Sequence, residues 1–139
     1  EINSKKIRLH GIDAPEKKQD CIFDQKSWSC GKQSIEQLKK LINNQIVKCE
    51  VTDIDIYNRY VAICLVNKIN LNQTMVKKGW AIAYLYFSKD YINEQRYARK
   101  NKLGIWKGKF IEPYKFRKQN WNKTIWNQIS CGEQHLLNF

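Results

Sequence analysis

From Lys5 to Ile12 apolar and polar residues alternate, Ile7 and Leu9 against Arg8 and His10, which predicts a half-exposed strand that Pro15 brings to an end. Residues 17–30 have no apolar period and predict a long loop, held down by function or by a disulfide. Between Lys32 and Asn43 the apolar positions Ile35, Leu38, Leu41 and Ile42 fall at helical spacing, and Asn43-Asn44 supplies the stop. Residues 46–52 and 60–66 are rich in β-branched side chains and predict the two strands of a hairpin. A short helix over 71–78 closes at Gly79, followed by a buried extended run from Trp80 to Phe87. A charged helix from Tyr91 to Leu103 closes at Gly104, Ile105-Trp106 tuck back, and a basic, aromatic tail runs from residue 107 to Phe139.

This order is α+β, and strands that curl on themselves with helices at one end fit an OB-like barrel. Such a barrel has five strands. Three are countable here, and the shortfall lies at the N-terminus. The expected division is a domain over 1–106 and an extension over 107–139. The longest apolar run, eight residues, is far short of the roughly 20 that a membrane-spanning helix requires. The sequence opens at Glu1 with neither a methionine nor a signal-peptide pattern, so it is expected to be processed or to start inside a longer product.

Twenty-five Lys and Arg against thirteen Asp and Glu give a net charge of +12, which favours polyanions, nucleic acid before acidic membrane surfaces. A merely soluble cationic protein is the competing explanation. Five Trp and seven Tyr add faces on which bases stack, although a small core uses them too.

Five cysteines are many for a reducing compartment, and neither their spacing nor the two histidines complete a zinc signature. Cys21 and Cys30 flank a short polar stretch. Cys49 and Cys64 are equidistant from a hairpin centre between Ile56 and Tyr57, where opposed strand residues come close enough to bridge. Two disulfides are therefore expected, with buried reduced thiols as the alternative. Cys131 is left as a free thiol or an intermolecular link.

Arg8, Asp13, Glu16 and Arg59 carry the candidate chemistry. Asp13 and Glu16 flank Pro15 on the turn leaving the first strand, so both carboxylates can face one cleft. Arg59 opens the second hairpin strand. Phosphodiester hydrolysis uses such a set: carboxylates hold a hard cation and activate water, and guanidinium forks neutralise the phosphate oxygens.

The order of these residues adds to their composition. The run Ile7-Arg8-Leu9-His10-Gly11-Ile12-Asp13-Ala14-Pro15-Glu16 resembles the Arg-to-Asp-x-Pro-Glu segment of the staphylococcal (thermonuclease) nuclease family. Asp55-Ile56-Tyr57-Asn58-Arg59 resembles its Asp-x-Tyr-Gly-Arg segment, and Leu71 to Trp80 its Val-Asn-x-x-Leu-Val-x-x-Gly-x helix. Tyr84-Leu85-Tyr86 and Leu103-Gly104-Ile105-Trp106 are further landmarks, so the resemblance covers about Ile7 to Trp106.

The resemblance implies a calcium-dependent nuclease that hydrolyses DNA or RNA in a secreted, periplasmic or otherwise oxidising compartment. It makes Arg8 and Arg59 the phosphate-binding arginines and Glu16 the general base. Asp13 and the carbonyl of Ala14 become Ca2+ ligands, and Tyr57, Tyr84 and Tyr86 lie near the nucleotide. The cysteine pairs look like those of exported bacterial relatives.

Two departures stand out. Asn58 replaces the glycine before the arginine, a mild change because Asn tolerates left-handed backbone. The Asp-Gly-Asp-Thr-like segment that carries another calcium-ligating aspartate is absent from the seven residues before Arg8. Three explanations follow: a longer authentic chain, a second chain completing the barrel, or a catalytically degraded nucleic-acid-binding or assembly module with the same fold.

Overall fold

The computed structural model describes residues 1–120, so Cys131 lies outside the described residues. Strand β1 (Ile7–Leu9) pairs in parallel with β6 (Tyr60–Val66), which pairs antiparallel with β5 (Lys48–Ile54). The short strand β7 (Ile69–Asn70) also joins β6. Two small ladders complete the sheets: β2 (Ile12–Asp13) with β8 (Ile82–Ala83), and β3 (Cys21–Phe23) with β4 (Lys26–Trp28). The helices are α1 (Cys30–Ile42), α2 (Leu71–Lys77), α3 (Ile92–Lys100) and α4 over residues 113–120, with a 3-10 turn at Gly104–Lys107.

The fold is α+β as expected, but among the described residues the strands do not close into a barrel. The central sheet runs β1-β6-β5, and β5 is solvent-exposed along nearly its whole length, Val51 and Ile54 included. Ile7 and Leu9 point inward, and this chain itself covers them. With Leu38, Leu41 and Ile42 of α1 they pack on buried Ala62, Cys64, Val66 and Leu71. Arg8, one step out of phase, leaves by the other face, in register with Val61.

α1 is wedged between this cluster and a second one built on Ile12, Met75, Val76, Ala81, Ala83 and Tyr91, since Leu38 and Leu41 serve both. Its C-terminus stops at Asn43 in the left-handed conformation, with Asn43 N–H donating to the Lys39 carbonyl at 2.8 Å. The Ser34 hydroxyl donates to the Trp80 carbonyl at 2.5 Å and ties α1 to the segment leading into β8. Asn70 caps α2 by accepting from Gln73 N–H. Asn72, wholly buried, donates from its amide nitrogen to the His10 and Ala62 carbonyls (2.9 and 3.0 Å) and accepts from Cys64 N–H (3.1 Å). One side chain thus satisfies backbone groups of β6 and of the turn just after β1 that would be costly to bury unpaired.

Three sequence expectations change. The segment read as a loop contains a hairpin, β3–β4, turned at Asp24 and Gln25 with both residues at positive φ. The buried extended run from Trp80 to Phe87 is extended only at Ile82–Ala83. The chain then turns, Phe87 and Ser88 N–H donating back to the Tyr84 carbonyl, and leaves Leu85, Tyr86 and Phe87 exposed. The hairpin register holds from Lys48↔Leu65 to Val51↔Ala62 and then shifts by one at a bulge, so the turn ends on Asn58 at φ 59°.

Both expected disulfides are present. Cys21–Cys30 joins the β3 start to the first residue of α1, and Cys49–Cys64 bridges directly opposed residues of β5 and β6 with Cα atoms 4.1 Å apart. Around the first, buried Ile82 and Ile105 and half-buried Trp28, Trp106 and Phe110 form a third cluster. Ile105 reaches it because Gly79 and Gly104 meet backbone to backbone: Ile105 N–H donates to the Gly79 carbonyl at 2.8 Å, and a Cβ on either glycine would overlap the other segment.

The double variant Cys49→Ser/Cys64→Ser should lose about 2–4 kcal/mol of stability in urea unfolding, because the closed loop no longer restrains the unfolded chain. Parent stability unchanged by the substitution would show that this bridge contributes nothing.

Candidate active site

Four elements deliver the site. β1 carries Arg8; β2 carries Asp13; the turn after Pro15 carries Glu16; and the hairpin turn between β5 and β6 carries Arg59. Arg8 is level with Val61 on the parallel neighbour β6, and Arg59 lies just before the start of that strand.

Asp13 is 1% exposed, so its carboxylate must be paired. Arg8 approaches it at 3.7 Å and donates to the Ile12 carbonyl at 3.3 Å. The closer partner is Arg117, on α4. Its Nη1 donates to Asp13 Oδ1 at 2.8 Å and to Glu16 Oε1 at 2.9 Å, and its Nη2 donates to Asp13 Oδ2 at 3.1 Å. Burial of Arg117 opposes its charge, but the hydrogen bonds to Asp13 and Glu16 outweigh that and raise its pKa further. The structure therefore brings Arg8, Asp13 and Glu16 together, and Arg117 joins them.

Glu16 is held by its backbone. Its N–H donates to Oε1 of buried Gln19, whose N–H returns to the Glu16 carbonyl, and Gln19 Nε2 reaches the Ile111 carbonyl at 2.6 Å. The same carbonyl lies against Gly31, the second residue of α1, where any Cβ would overlap it. A glycine at this position lets α1 start beside the Glu16 turn.

Arg59 is not in that cluster. Its Nε donates to Asp55 Oδ2 at 2.7 Å, while Asp55 Oδ1 accepts from Tyr57 and Arg59 N–H. Burial acts to raise the Asp55 pKa, but these hydrogen bonds and the Arg59 charge prevail and hold it below the usual range. Tyr57 and Tyr86 stand in solvent at 73% and 85% exposure, with the Arg59 guanidinium 5.4 Å from the Tyr57 ring. Tyr84 is half-buried, 5.7 Å from the Arg8 guanidinium and stacked at 6.1 Å on Tyr114 of α4. Ala14 packs on the cluster around Ile12, next to Asp13.

A hard divalent cation takes six to eight oxygen ligands. Among the described residues no group of three or more His, Cys, Asp and Glu side chains forms. Even so, Asp13 and Glu16 aim an oxygen each at one cationic nitrogen, so the pair fits a cation as part of a shell. The rest of such a shell would have to come from backbone, water and phosphate oxygens.

A family model described as staphylococcal nuclease homologue matches residues 6–108. The chain belongs to this family. It is 35% identical over 117 residues to an uncharacterized endonuclease of Haemophilus influenzae, covering 82% of this chain and 61% of that protein. A probable staphylococcal-like nuclease of Oryza sativa subsp. japonica is 32% identical over 84% of this chain and 30% of its own length. An uncharacterized endonuclease of Escherichia coli O157:H7 is 34% identical over 73% of this chain and 62% of its own. The chain thus spans less than two thirds of each. The family match ends at residue 108, ahead of α4, so Arg117 and Tyr114 lie beyond it.

Sequence reasoning missed Arg117, Gln19 and Gly31. The first had no available signal, since it meets Glu16 across 101 residues of chain.

Because the folded Asp55 carboxyl sits below its unfolded value, its stabilisation is complete above the ordinary aspartate range and lost as pH falls through the depressed value. Asp55→Asn should therefore lower the urea midpoint at pH 7, with the difference shrinking towards pH 3. A difference independent of pH would show that the Asp55 charge is not what holds Arg59.

Proposed function

We propose that this protein is a nuclease that hydrolyses phosphodiester bonds of DNA or RNA with Ca2+ as its cation. The reading is carried by the convergence of the Asp13 and Glu16 carboxylates on a single cationic position beside Arg8. Family membership and the nuclease names of the relatives support it.

Arg8 and Arg59 grip the non-bridging oxygens of the scissile phosphate and offset the charge that builds there. Asp55 holds Arg59 extended from the hairpin turn, which cuts the orientational cost of that contact. Glu16 accepts a proton from the attacking water as the new P–O bond forms and the bond to the leaving oxygen breaks; the leaving oxygen takes its proton from solvent. Asp13 and the Ala14 carbonyl would hold the cation, which would supply Lewis-acid polarisation of the phosphate. Tyr57, Tyr84 and Tyr86 offer faces to bases without reading sequence, and the +12 charge attracts the phosphate backbone.

The catalytic part is the domain over 1–106, with 107–139 an extension from it. Two disulfides fit a secreted or periplasmic protein, and no described helix is long and apolar enough to cross a membrane. One observation favours a second reading, a nucleic-acid-binding module that no longer cuts: Arg117 satisfies both carboxylates.

An assay on plasmid DNA and on RNA, with calcium and with chelator, separates the two. The nuclease reading expects cleavage that chelator abolishes, and a fall in kcat of about 100-fold or more in Glu16→Gln with binding nearly unchanged. Equal turnover by Glu16→Gln and parent would remove Glu16 from the mechanism, and binding without any cleavage would favour the second reading.

A further inference from the structure

We propose that Arg117 sets the divalent-cation requirement of this site by occupying the cation position itself, so that a hard divalent cation binds only when α4 undocks. The inference rests on the reading of Asp13 as a cation ligand, with the general base Glu16 facing the same position, and adds a competitor from the same chain.

Three observations carry it. The Arg117 fork takes both oxygens of Asp13 and the nearer oxygen of Glu16, leaving no carboxylate atom of Asp13 without a guanidinium contact. With Arg8 at 3.7 Å from Asp13 and Arg59 already matched by Asp55, the docked site holds two carboxylates against two guanidinium groups and is charge-balanced without an ion. A divalent cation placed between Asp13 and Glu16 would meet the Arg117 charge within one bond length of its ligands, so the two occupants exclude each other.

The second anchor of α4 has the same consequence. Tyr114 stacks on Tyr84, 6.1 Å between centroids and 22° between planes, so the docked helix covers the face that a nucleotide base would use. Undocking frees the carboxylates and that face together, which couples cation binding to base stacking with a common sign. α4 is built to dock as a unit: Pro113 opens it, and Lys115 and Phe116 N–H both donate to the Glu112 carbonyl. Tyr114 and Arg117 are three positions apart, so both lie on one helix face.

Calcium titration by calorimetry, without substrate, on the parent, Arg117→Ala and Arg117→Lys tests this. Arg117→Ala should bind calcium about tenfold or more tightly than the parent, because the competent state no longer waits on undocking. Arg117→Lys, which keeps the charge and loses the fork, should fall between them. Hydrogen exchange gives an independent readout: calcium should speed exchange of the amides over 113–120 in the parent. Equal affinity of parent and Arg117→Ala, or calcium slowing exchange in α4, overturns the competition. Calcium-stimulated cleavage with equal affinities would sink the competition and leave the nuclease reading standing. Altered affinities with no cleavage by any variant would do the reverse.

Discussion

A carboxylate buried to 1% exposure cannot stay charged without partners, and Asp13 organises the molecule around that requirement. It stands on a two-residue strand whose fellow, Ile12, enters the core, while its own side chain turns to Arg8 and Arg117. Fixing Asp13 also fixes β8 through the pairing of Asp13 with Ile82, and places the turn that bears Glu16 three residues on. Removing one partner from such a group costs more than a surface ion pair contributes, because the remaining charge is left in low dielectric.

The supporting shell is built from polar atoms that serve backbone. Asn72 joins the turn after β1 to β6, Gln19 closes the Glu16 turn against residue 111, and Gln95 accepts from Ala83 N–H at 2.7 Å to hold β8 against α3. Each spans a junction where two elements meet without a long ladder. The sheets are short, so these contacts and the two disulfides do what strand pairing does in a larger sheet. Support of this kind fixes the backbone that carries Asp13 and Glu16.

Much of this was legible in the residues. α1 follows from helical periodicity, the β5–β6 hairpin from its β-branched residues, and the pairing of Cys49 with Cys64 from their equal distance to the turn. The bulge that shifts the register between Val51 and Asp53 leaves that pairing untouched, since it lies nearer the turn than either cysteine. The β3–β4 hairpin was hidden because three-residue strands show no alternation, and its turn uses Asp24-Gln25 in place of Asn-Gly. Tyr84 to Phe87 misled because aromatic residues are read as core, whereas here Tyr86 and Phe87 face solvent beside the candidate site. Arg117 was invisible because it acts from a segment without period, through contacts that only the folded chain creates. Strand curl points to an OB-like barrel short of N-terminal strands; among the described residues the sheet, with its β5 flank exposed, does not close on itself.

If the proposed reading holds, nucleic acid meets this protein at Arg8, Glu16 and Arg59. Titration of a short single-stranded oligonucleotide followed by NMR tests it most directly. Saturable shifts at Arg8, Asp13, Glu16, Tyr57, Arg59 and Tyr84, weakening as salt rises, are the expected result. Shifts confined to the β3–β4 hairpin or to the outer face of α1, with those six residues unmoved, would contradict it.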